Sequence, residues 1–146
     1  MDIKSLLKSL NEHNVRYVVI GAYAFPLYGY SRVTIDFDIF IEPRRENVER
    51  TLKALAGFGY DIADVTMDDM LTKKILIRQY ALETDIHPFV TGISFEQVWK
   101  NKKKGEIDGI ETHFASLDDL IIMKEAAGRE KDIQDLKVLR KLRENQ

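Results

Sequence analysis

The chain has 146 residues, of which 45% are apolar and 32% charged, and this balance is typical of a soluble globular protein with a hydrophobic core. It contains no cysteine, which excludes disulfides, thiolate catalysis and zinc sites built on cysteine. The formal net charge of −2 offers no overall basic surface, so a nucleic-acid partner would need a local basic patch. No apolar run approaches the ~20 residues that cross a bilayer, and the charged N-terminus lacks the pattern of a signal peptide. We therefore expect a single cytoplasmic domain over residues 1–146, without membrane contact.

Hydrophobic periodicity and turn residues divide the chain into helices and strands. Helical spacing of apolar residues predicts helices over 2–13, 22–28, 45–56, 117–127 and 129–143, and a short helix that starts over 95–99. Runs rich in β-branched and aromatic residues predict strands over 15–20, 36–41, 74–79 and 81–89, and one or two short strands within 105–114. The mixed signals over 60–72 predict a short strand followed by a helical turn. Strands interleaved with helices, and a helical tail, indicate an α/β or α+β fold.

Two carboxylates begin the strand predicted over 36–41. Asp36 and Asp38 are one residue apart, so both side chains point to the same face of the sheet. Their positions are roughly 6.6 Å apart along a strand, and the side chains can reach inward to the about 3.5–4 Å that separates paired catalytic metal ions. Asp is a poor strand former, and oxygen-only ligands favour Mg²⁺ or Mn²⁺. A solvated strand edge is the alternative, because Asp-x-Asp is common by chance.

A glycine turn precedes this pair. The apolar strand VRYVVI runs directly into Gly21 and Ala22 and then into the helix predicted over 22–28. Glycine at a strand-to-helix turn allows the backbone to approach a phosphate closely, with amide groups pointing at the anion. Many αβ proteins turn in this way, so the glycine alone is weak evidence for a phosphate site. Its position just before the two acids is what strengthens the prediction.

The segment IGAYAFPLYGYSRVTIDFDIF resembles the signature of the DNA polymerase β-like nucleotidyltransferase superfamily: an apolar strand, a Gly-Gly or Gly-Ser turn, a spacer, and Asp-apolar-Asp-apolar. One branch of that superfamily, the small abortive-infection toxin-like and antibiotic-type nucleotidyltransferases, has a Gly-x-x-Arg-x-Thr-x-Asp-x-Asp run. The residues that match this run in register are Gly29, Arg32, Thr34, Asp36 and Asp38.

The C-terminal part of the chain carries a second match to the same branch. KEAAGREKDIQDLKVL resembles its Lys-x-x-Ala-x-Arg-x-Lys-Asp-x-x-Asp helix pair. The matching residues are Lys124, Ala127, Arg129, Lys131, Asp132 and Asp135. The two matches bracket residues 21–135, so the resemblance covers most of the chain.

The resemblance implies a mixed β-sheet core flanked by helices, with a C-terminal helix pair. It implies that a nucleoside triphosphate binds as its Mg²⁺ or Mn²⁺ complex near Gly21 and Ala22, with the metal held by Asp36 and Asp38. The residues assigned to nucleotide binding on this basis are Gly21, Ala22, Arg32, Thr34 and Lys124. Ala22 departs from the family pattern, because it has no hydroxyl to offer a phosphate.

Family members usually take a third metal-binding acid from a neighbouring strand, and Asp85 in ALETDIHPFV is the best candidate for it. Its implied role is to bind one metal and to accept the proton of the attacking hydroxyl. Glu83 points to the same face and is the alternative, while Asp85 could also be a turn residue before Pro88. His87 shares that face, and a hydrogen-bonded structural histidine explains it better than a metal ligand does.

Several basic residues have both a functional and a structural interpretation. Lys124 lies on the core-facing side of its helix and must reach either an anion such as a triphosphate or solvent. Arg32 either contacts phosphate or acceptor or is a solvated loop residue. The charges of 129–135 favour an ion-paired helix face, in which Asp132 organises Lys124 or Arg129. The run KNKKKG over 100–105 suits RNA or another polyanionic acceptor, although a solvated loop is the simpler explanation.

These features predict transfer of a nucleoside monophosphate from an NTP to an acceptor hydroxyl, with release of pyrophosphate. The acceptor is left open as a small molecule, RNA or protein. Ala22 and the uncertain third acid permit an alternative, a nucleotide-binding or partner-binding module without turnover. A third interpretation is the toxin of a toxin–antitoxin pair that modifies RNA or protein. A homodimer or an antitoxin partner is compatible with the sequence.

Overall fold

The computed structural model describes residues 2–146, in which a six-stranded mixed sheet is flanked by helices. The strands are β1 (Tyr17–Ile20), β2 (Asp36–Ile41), β3 (Ile75–Ile77), β4 (Glu83–His87), β5 (Lys103–Ile107) and β6 (Ile110–Phe114). The α-helices are α1 (Ile3–Glu12), α2 (Arg45–Phe58), α3 (Met67–Thr72), α4 (Phe95–Asn101), α5 (Leu117–Ala127) and α6 (Glu130–Glu144). A 3₁₀ helix occupies Gly21–Tyr28.

Most of the elements predicted from the sequence are present, and the expected α/β class is confirmed. Asn14, with φ of 56°, and Gly128, with φ of 60°, adopt the left-handed conformation just after α1 and α5. The strand expected within 60–72 was wrong: that segment has no strand, and α3 begins where Thr66 and Asp69 form a capping box. The helix predicted over 22–28 is a 3₁₀ helix.

The order of the strands is β3-β4-β2-β1-β6-β5, which places β2 and β1 at the centre of the sheet. β1 and β2 are antiparallel, and Ile20 at the end of β1 lies opposite Asp38. β2 and β4 are parallel, and Asp38 lies opposite Asp85. This register brings the glycine turn after β1 and the acids of β2 and β4 to one place on the sheet.

The alternation of side chains along β2 separates the core from the site. Phe37, Ile39 and Ile41 are fully buried on one face. On the other face, Asp36 and Asp38 are half-buried, while Phe40 is 1% exposed and packs edge-on against Phe95 of α4. As expected from the sequence, only the beginning of the strand is polar.

A buried asparagine ties α2 to the central strands. Asn47 is completely buried, and its Oδ1 accepts a hydrogen bond of 2.7 Å from the backbone N–H of Arg16. Its amide nitrogen donates to the backbone carbonyls of Arg16 and Glu42, each at 3.0 Å. One side chain thus satisfies the backbone N–H of Arg16 and adds a second hydrogen bond to the carbonyls of Arg16 and Glu42, which also accept from the backbone of Glu42 and Arg44.

We expect Asn47→Ala to lower the free energy of unfolding by about 1–3 kcal/mol, because buried backbone groups would lose their only side-chain partner. Urea unfolding followed by circular dichroism measures this change. Glu49→Ala, on an exposed turn of the same helix, is the matched control and should change stability by less than about 0.5 kcal/mol. Equal effects of the two substitutions would contradict a structural role for Asn47.

Candidate active site

The acids predicted from the sequence meet at the start of two neighbouring strands. In the parallel ladder of β2 with β4, Asp36 lies opposite Glu83 and Asp38 lies opposite Asp85. Directly opposite residues on neighbouring strands are about 5 Å apart and point to the same face. Asp85 is 4% exposed, so it is the most buried of these acids. The strands therefore concentrate four carboxyl groups on one small area of the sheet.

The glycine turn lies directly against this acidic area. Gly21 has φ of +69°, a conformation that favours glycine, and a Cβ atom there would lie 2.8 Å from Oδ2 of Asp38. The conformation makes any other residue strained at this position, and a Cβ atom would also force the Asp38 carboxylate to shift. Ala22, which follows, is 7% exposed and lines the same cleft. Any hydrogen bonding from Ala22 to a phosphate would therefore have to come from its backbone.

The acids have cationic neighbours that the sequence analysis did not identify. Arg78 donates a hydrogen bond of 2.7 Å from Nη1 to Oδ1 of Asp85, and its Nε is 3.6 Å from Glu83. Lys74 Nζ lies 3.9 Å from Oδ2 of Asp85. Leu76 of β3 is opposite Asp85, so the alternation Lys74-x-Leu76-x-Arg78 places both cations on the acidic face. The alternation of Lys74 and Arg78 is visible in the sequence, but it indicates cations beside Asp85 only once the register of β3 with β4 is known.

His87 contacts the other central acid. Its Nε2 is 2.8 Å from Oδ1 of Asp38, and its side chain is 15% exposed. This agrees with the expectation of a hydrogen-bonded histidine. The contact leaves Oδ2 of Asp38 on the side of the Gly21 turn.

The donor set suits a hard divalent cation, although the side chains are not arranged around one. Within residues 2–146, no group of three or more His, Asp or Glu side chains has a metal-binding arrangement. The carboxylate oxygens that carry no short contact to a cation are those of Asp36, Oδ2 of Asp38 and Oδ2 of Asp85. Oxygen ligands of this kind are what Mg²⁺ and Mn²⁺ prefer, so the chemistry of these residues fits such an ion.

Repulsion among the acids is visible at the rim of the site. A hydrogen bond with Asp36 raises the pKa of Glu83, and burial acts in the same direction. The neighbouring Arg78 lowers it, but less strongly. A proton shared between two carboxyl groups relieves part of their repulsion.

The opposite wall of the cleft is an ion-pair network around two buried carboxylates, those of Asp132 and Asp135. Lys124 Nζ lies 2.9 Å from Asp132 and 3.3 Å from Asp135, and Arg129 Nε donates to Asp132 at 2.7 Å. Asp132 thus organises both Lys124 and Arg129, as the sequence suggested. Arg32 Nε and Nη2 donate to the two carboxylate oxygens of Asp135 at 2.8 and 2.9 Å. This bidentate pair joins the loop before β2 to α6.

A cleft of about 840 Å³ lies between the two walls. All the residues predicted to bind metal or nucleotide line it, namely Gly21, Ala22, Arg32, Thr34, Asp36, Asp38, Asp85 and Lys124. Thr34 Oγ1 is 3.4 Å from the backbone carbonyl of Asp36. Phe89 is 62% exposed and, with Met123, contributes an apolar part of the lining. The volume is in the range of ligand-binding clefts, and its lining combines acids, cations and apolar surface.

A mixed sheet in which a strand–glycine turn faces an Asp-x-Asp strand and a third acid defines the nucleotidyltransferase class of fold. The sequence matches, over residues 1–146, a family described as "Nucleotidyl transferase of unknown function". The chain belongs to this nucleotidyltransferase family, which confirms the resemblance found in the sequence. No curated protein sequence matches significantly.

Two solved structures share the fold. The lincosamide antibiotic adenylyltransferase LnuA, in its lincomycin-bound form, is 16% identical with a TM-score of 0.65, and the match covers 97% of this chain and 98% of that one. A Thermotoga maritima protein described as a candidate nucleotidyltransferase is 16% identical with a TM-score of 0.58, covering 99% and 91% of the two chains. No helix within residues 2–146 is long and apolar enough to cross a membrane.

The network around Asp132 predicts an acid-sensitive contribution to stability. Burial raises the pKa of Asp132, but the hydrogen bonds from Arg129 and Lys124 outweigh it and lower the pKa from 3.8 to about 2. The unfolded chain therefore binds more protons than the folded one between these values, and the contribution is lost as pH falls from about 4 to 2. We expect Asp132→Asn to be less stable than the wild type at pH 5, with a difference that shrinks toward pH 2.

Urea unfolding at pH 5, 4, 3 and 2 measures this difference. Asp64→Asn, which changes an exposed acid outside the network, is the control and should follow the wild type at each pH. A difference between wild type and Asp132→Asn that is constant across the series would contradict the ion pairing of Asp132.

Proposed function

We propose that the protein transfers a nucleoside monophosphate from a nucleoside triphosphate to an acceptor hydroxyl in a reaction that requires Mg²⁺ or Mn²⁺. The supporting observation is the register of β2 with β4, which sets Asp38 opposite Asp85 beside the Gly21 turn. In the reaction, the acceptor oxygen forms a bond to the α-phosphorus while the bond between that phosphorus and the bridging oxygen breaks. The bridging oxygen leaves with pyrophosphate.

The acids of the cleft have two proposed roles, which are binding of the divalent cation and acceptance of the proton of the acceptor hydroxyl. Asp36, Asp38 and Asp85 are the residues that would hold the divalent cation, which supplies charge neutralisation at the phosphates and activation of the nucleophile. Asp85 accepts the proton of the acceptor hydroxyl in this proposal, because it is the acid on the neighbouring strand that faces the pair on β2. Little covalent chemistry is left to the protein, and positioning dominates.

The phosphates are assigned to the Gly21 turn. Glycine at this position leaves the backbone open, and the backbone of Ala22 lines the cleft beside it. Arg32 and Lys124 complete the proposed nucleotide contacts from the opposite wall, and Thr34 does so from the loop before β2. Since Arg32 and Lys124 already pair with Asp132 and Asp135, they would share these partners with a phosphate, and the network would fix their positions in advance.

Arg78 is assigned as a positioning residue for Asp85. It holds Oδ1 from the side of β3 and does not line the cleft, whereas Oδ2 carries no hydrogen bond. A partner that fixes one oxygen of a carboxylate leaves the other in a defined direction for a ligand. Arg78 therefore supports the third acid from behind the site.

A binding module without turnover is the competing function. Ala22 has no hydroxyl to offer a phosphate. In addition, Asp85 and Asp38 each already have a hydrogen-bond partner, Arg78 and His87 respectively. Binding of Mg²⁺ with NTP but without pyrophosphate release, across a panel of hydroxyl acceptors, would favour this module. A toxin that modifies RNA or protein would use the same chemistry and differ only in its acceptor.

We expect Asp36→Asn combined with Asp38→Asn to abolish nucleotidyl transfer and to leave the thermal midpoint unchanged or raised, because repulsion among the acids is relieved. Mg²⁺ should raise the midpoint of the wild type and leave that of the double variant unchanged. Labelled NTP and differential scanning fluorimetry measure the two effects. Asp64→Asn combined with Asp68→Asn, which removes two exposed acids outside the cleft, is the charge-matched control. Intact activity in the Asp36/Asp38 variant would remove the metal assignment.

Arg78→Gln should weaken Mg²⁺ binding by about tenfold, since loss of an orienting partner typically has an effect of that size on metal affinity. Arg78→Lys keeps the charge and should recover part of the loss. Isothermal titration calorimetry with Mn²⁺ or Mg²⁺ measures it. Arg140→Gln, which removes an exposed pair with Glu125, should bind as the wild type does. Tighter metal binding in Arg78→Gln would show instead that Arg78 competes with the ion.

A further inference from the structure

A second concave surface lies outside the cleft, and it carries the basic run noted in the sequence. It is a groove of about 580 Å³, here called the lysine groove. Its charged lining residues are Lys100, Lys102, Lys103, Lys104 and Asp118. The rest of the lining carries no charged side chain and includes Leu27, Tyr28 and Asn101. In a protein with a net charge of −2, four lysines in one groove mark a local reversal of the charge balance.

The lysines of this groove differ in their partners. Lys102 is occupied, because its Nζ lies 4.1 Å from the centre of the Trp99 ring and 3.2 Å from the Trp99 carbonyl. Lys104 is 3.7 Å from Glu111, and both side chains are mostly exposed. Within the described residues, no carboxylate lies within 4.0 Å of the ammonium of Lys100 or Lys103. Asp118, the one acidic residue of the lining, is 3.9 Å from Arg143.

Protection of a sheet edge explains only part of this arrangement. β5 is an edge strand, and lysines on such strands discourage pairing with another sheet. That role accounts for Lys103 and Lys104, which belong to β5. Lys100 is in α4 and Lys102 follows that helix, so neither contributes to the strand edge. Lys102 is accounted for by its contacts with Trp99, so Lys100 is the lysine that neither the strand edge nor a side-chain partner explains.

The lysine groove is connected to the cleft by one short element. Gly21 and Ala22, at the start of the 3₁₀ helix, line the cleft, and Leu27 and Tyr28, at its end, line the groove. At about 2 Å per residue, the two ends of this helix are roughly 14 Å apart. α5 makes the same connection, with Leu117 in the groove and Lys124 in the cleft. A chain bound in the groove is therefore one helix length from the reacting phosphates.

We propose that the lysine groove binds the phosphodiester backbone of a single-stranded nucleic acid and so presents a hydroxyl of that strand as acceptor to the cleft. This inference rests on the proposed function, whose acceptor class it names. Lysine ammonium groups without carboxylate partners bind phosphates as point charges, and the binding is independent of base sequence. A flexible single strand can span the roughly 14 Å that separate the groove from the cleft, whereas the groove offers little apolar surface to a folded partner.

The test uses fluorescence anisotropy with labelled 12-nucleotide single strands of RNA and of DNA, at 50 to 200 mM salt. We expect Lys100→Gln combined with Lys103→Gln to weaken binding about tenfold and to make the slope of log K against log salt shallower by about 1.4, since each lysine–phosphate contact on a single strand contributes about 0.7. Binding of either strand supports the inference, and the better of the two identifies the sugar. Lys4→Gln combined with Lys8→Gln, on exposed positions of α1 that line neither cavity, is the control and should leave affinity and slope unchanged.

Three outcomes would overturn the inference. The wild type could bind neither oligonucleotide at 50 mM salt, or the Lys100/Lys103 variant could bind with the same affinity and salt slope as the wild type. The third is an equal loss of affinity in the Lys100/Lys103 variant and in the Lys4/Lys8 control. Self-association of the groove variant with unchanged oligonucleotide binding would assign the lysines to edge protection alone. Binding of Mg²⁺ with NTP, measured by calorimetry on the same proteins, keeps the two proposals apart. The groove variant should retain it. If the wild type does not bind Mg²⁺ with NTP but still binds the oligonucleotides through Lys100 and Lys103, the proposed function fails and the groove remains a nucleic-acid binding site.

Discussion

The parallel pairing of β2 with β4 is the constraint on which the cleft depends. Side chains alternate with a period of two, so a shift of this register by one residue would carry Asp85 to the opposite face, among the buried side chains of the core. The apolar face of β2, with Phe37, Ile39 and Ile41 fully buried, fixes that register through packing. The hydrophobic core thus specifies the position of the acids, although it makes no contact with a substrate.

Carboxylates that lie close together on the sheet repel one another, and each wall of the cleft places cations or hydrogen-bond donors beside its acids. Arg78 and Lys74 pair with Asp85 and His87 hydrogen-bonds to Asp38, while Asp132 and Asp135 are balanced by Lys124, Arg129 and Arg32. Breaking a buried pair is costly because the remaining charge is left without a partner. Since Asp132 and Asp135 are almost fully buried, the pairs on the helix wall are expected to stay formed while a ligand enters.

The sequence predicted the local features of this fold well because they have local causes. Strand β2, the glycine that ends α5 and the left-handed Asn14 follow from periodicity or from residues that tolerate special backbone angles. The strand expected before α3 was wrong because a short apolar run such as that near Tyr60 does not distinguish a strand from a buried loop. Tyr60 is in fact buried by Phe58 and hydrogen-bonds to Thr84 without joining the sheet. Its β-like composition reflects tertiary packing.

The parts of the site that the sequence could not predict depend on the register of strand pairing or on contacts between distant segments. Lys74 and Arg78 are unremarkable in the sequence until β3 is paired with β4 and Leu76 falls opposite Asp85. The link between Arg32 and Asp135 spans 103 residues, and only the family resemblance brought the two together. That link joins the two segments of the sequence that match the family pattern. Arg32 lies four residues before Asp36, and Asp135 lies one turn after Lys131, so the bidentate pair couples the approach to the acid strand with the C-terminal helix. A change at either end would move one wall of the cleft relative to the other, and the helix pair is in this sense as much a part of the candidate site as the strands are.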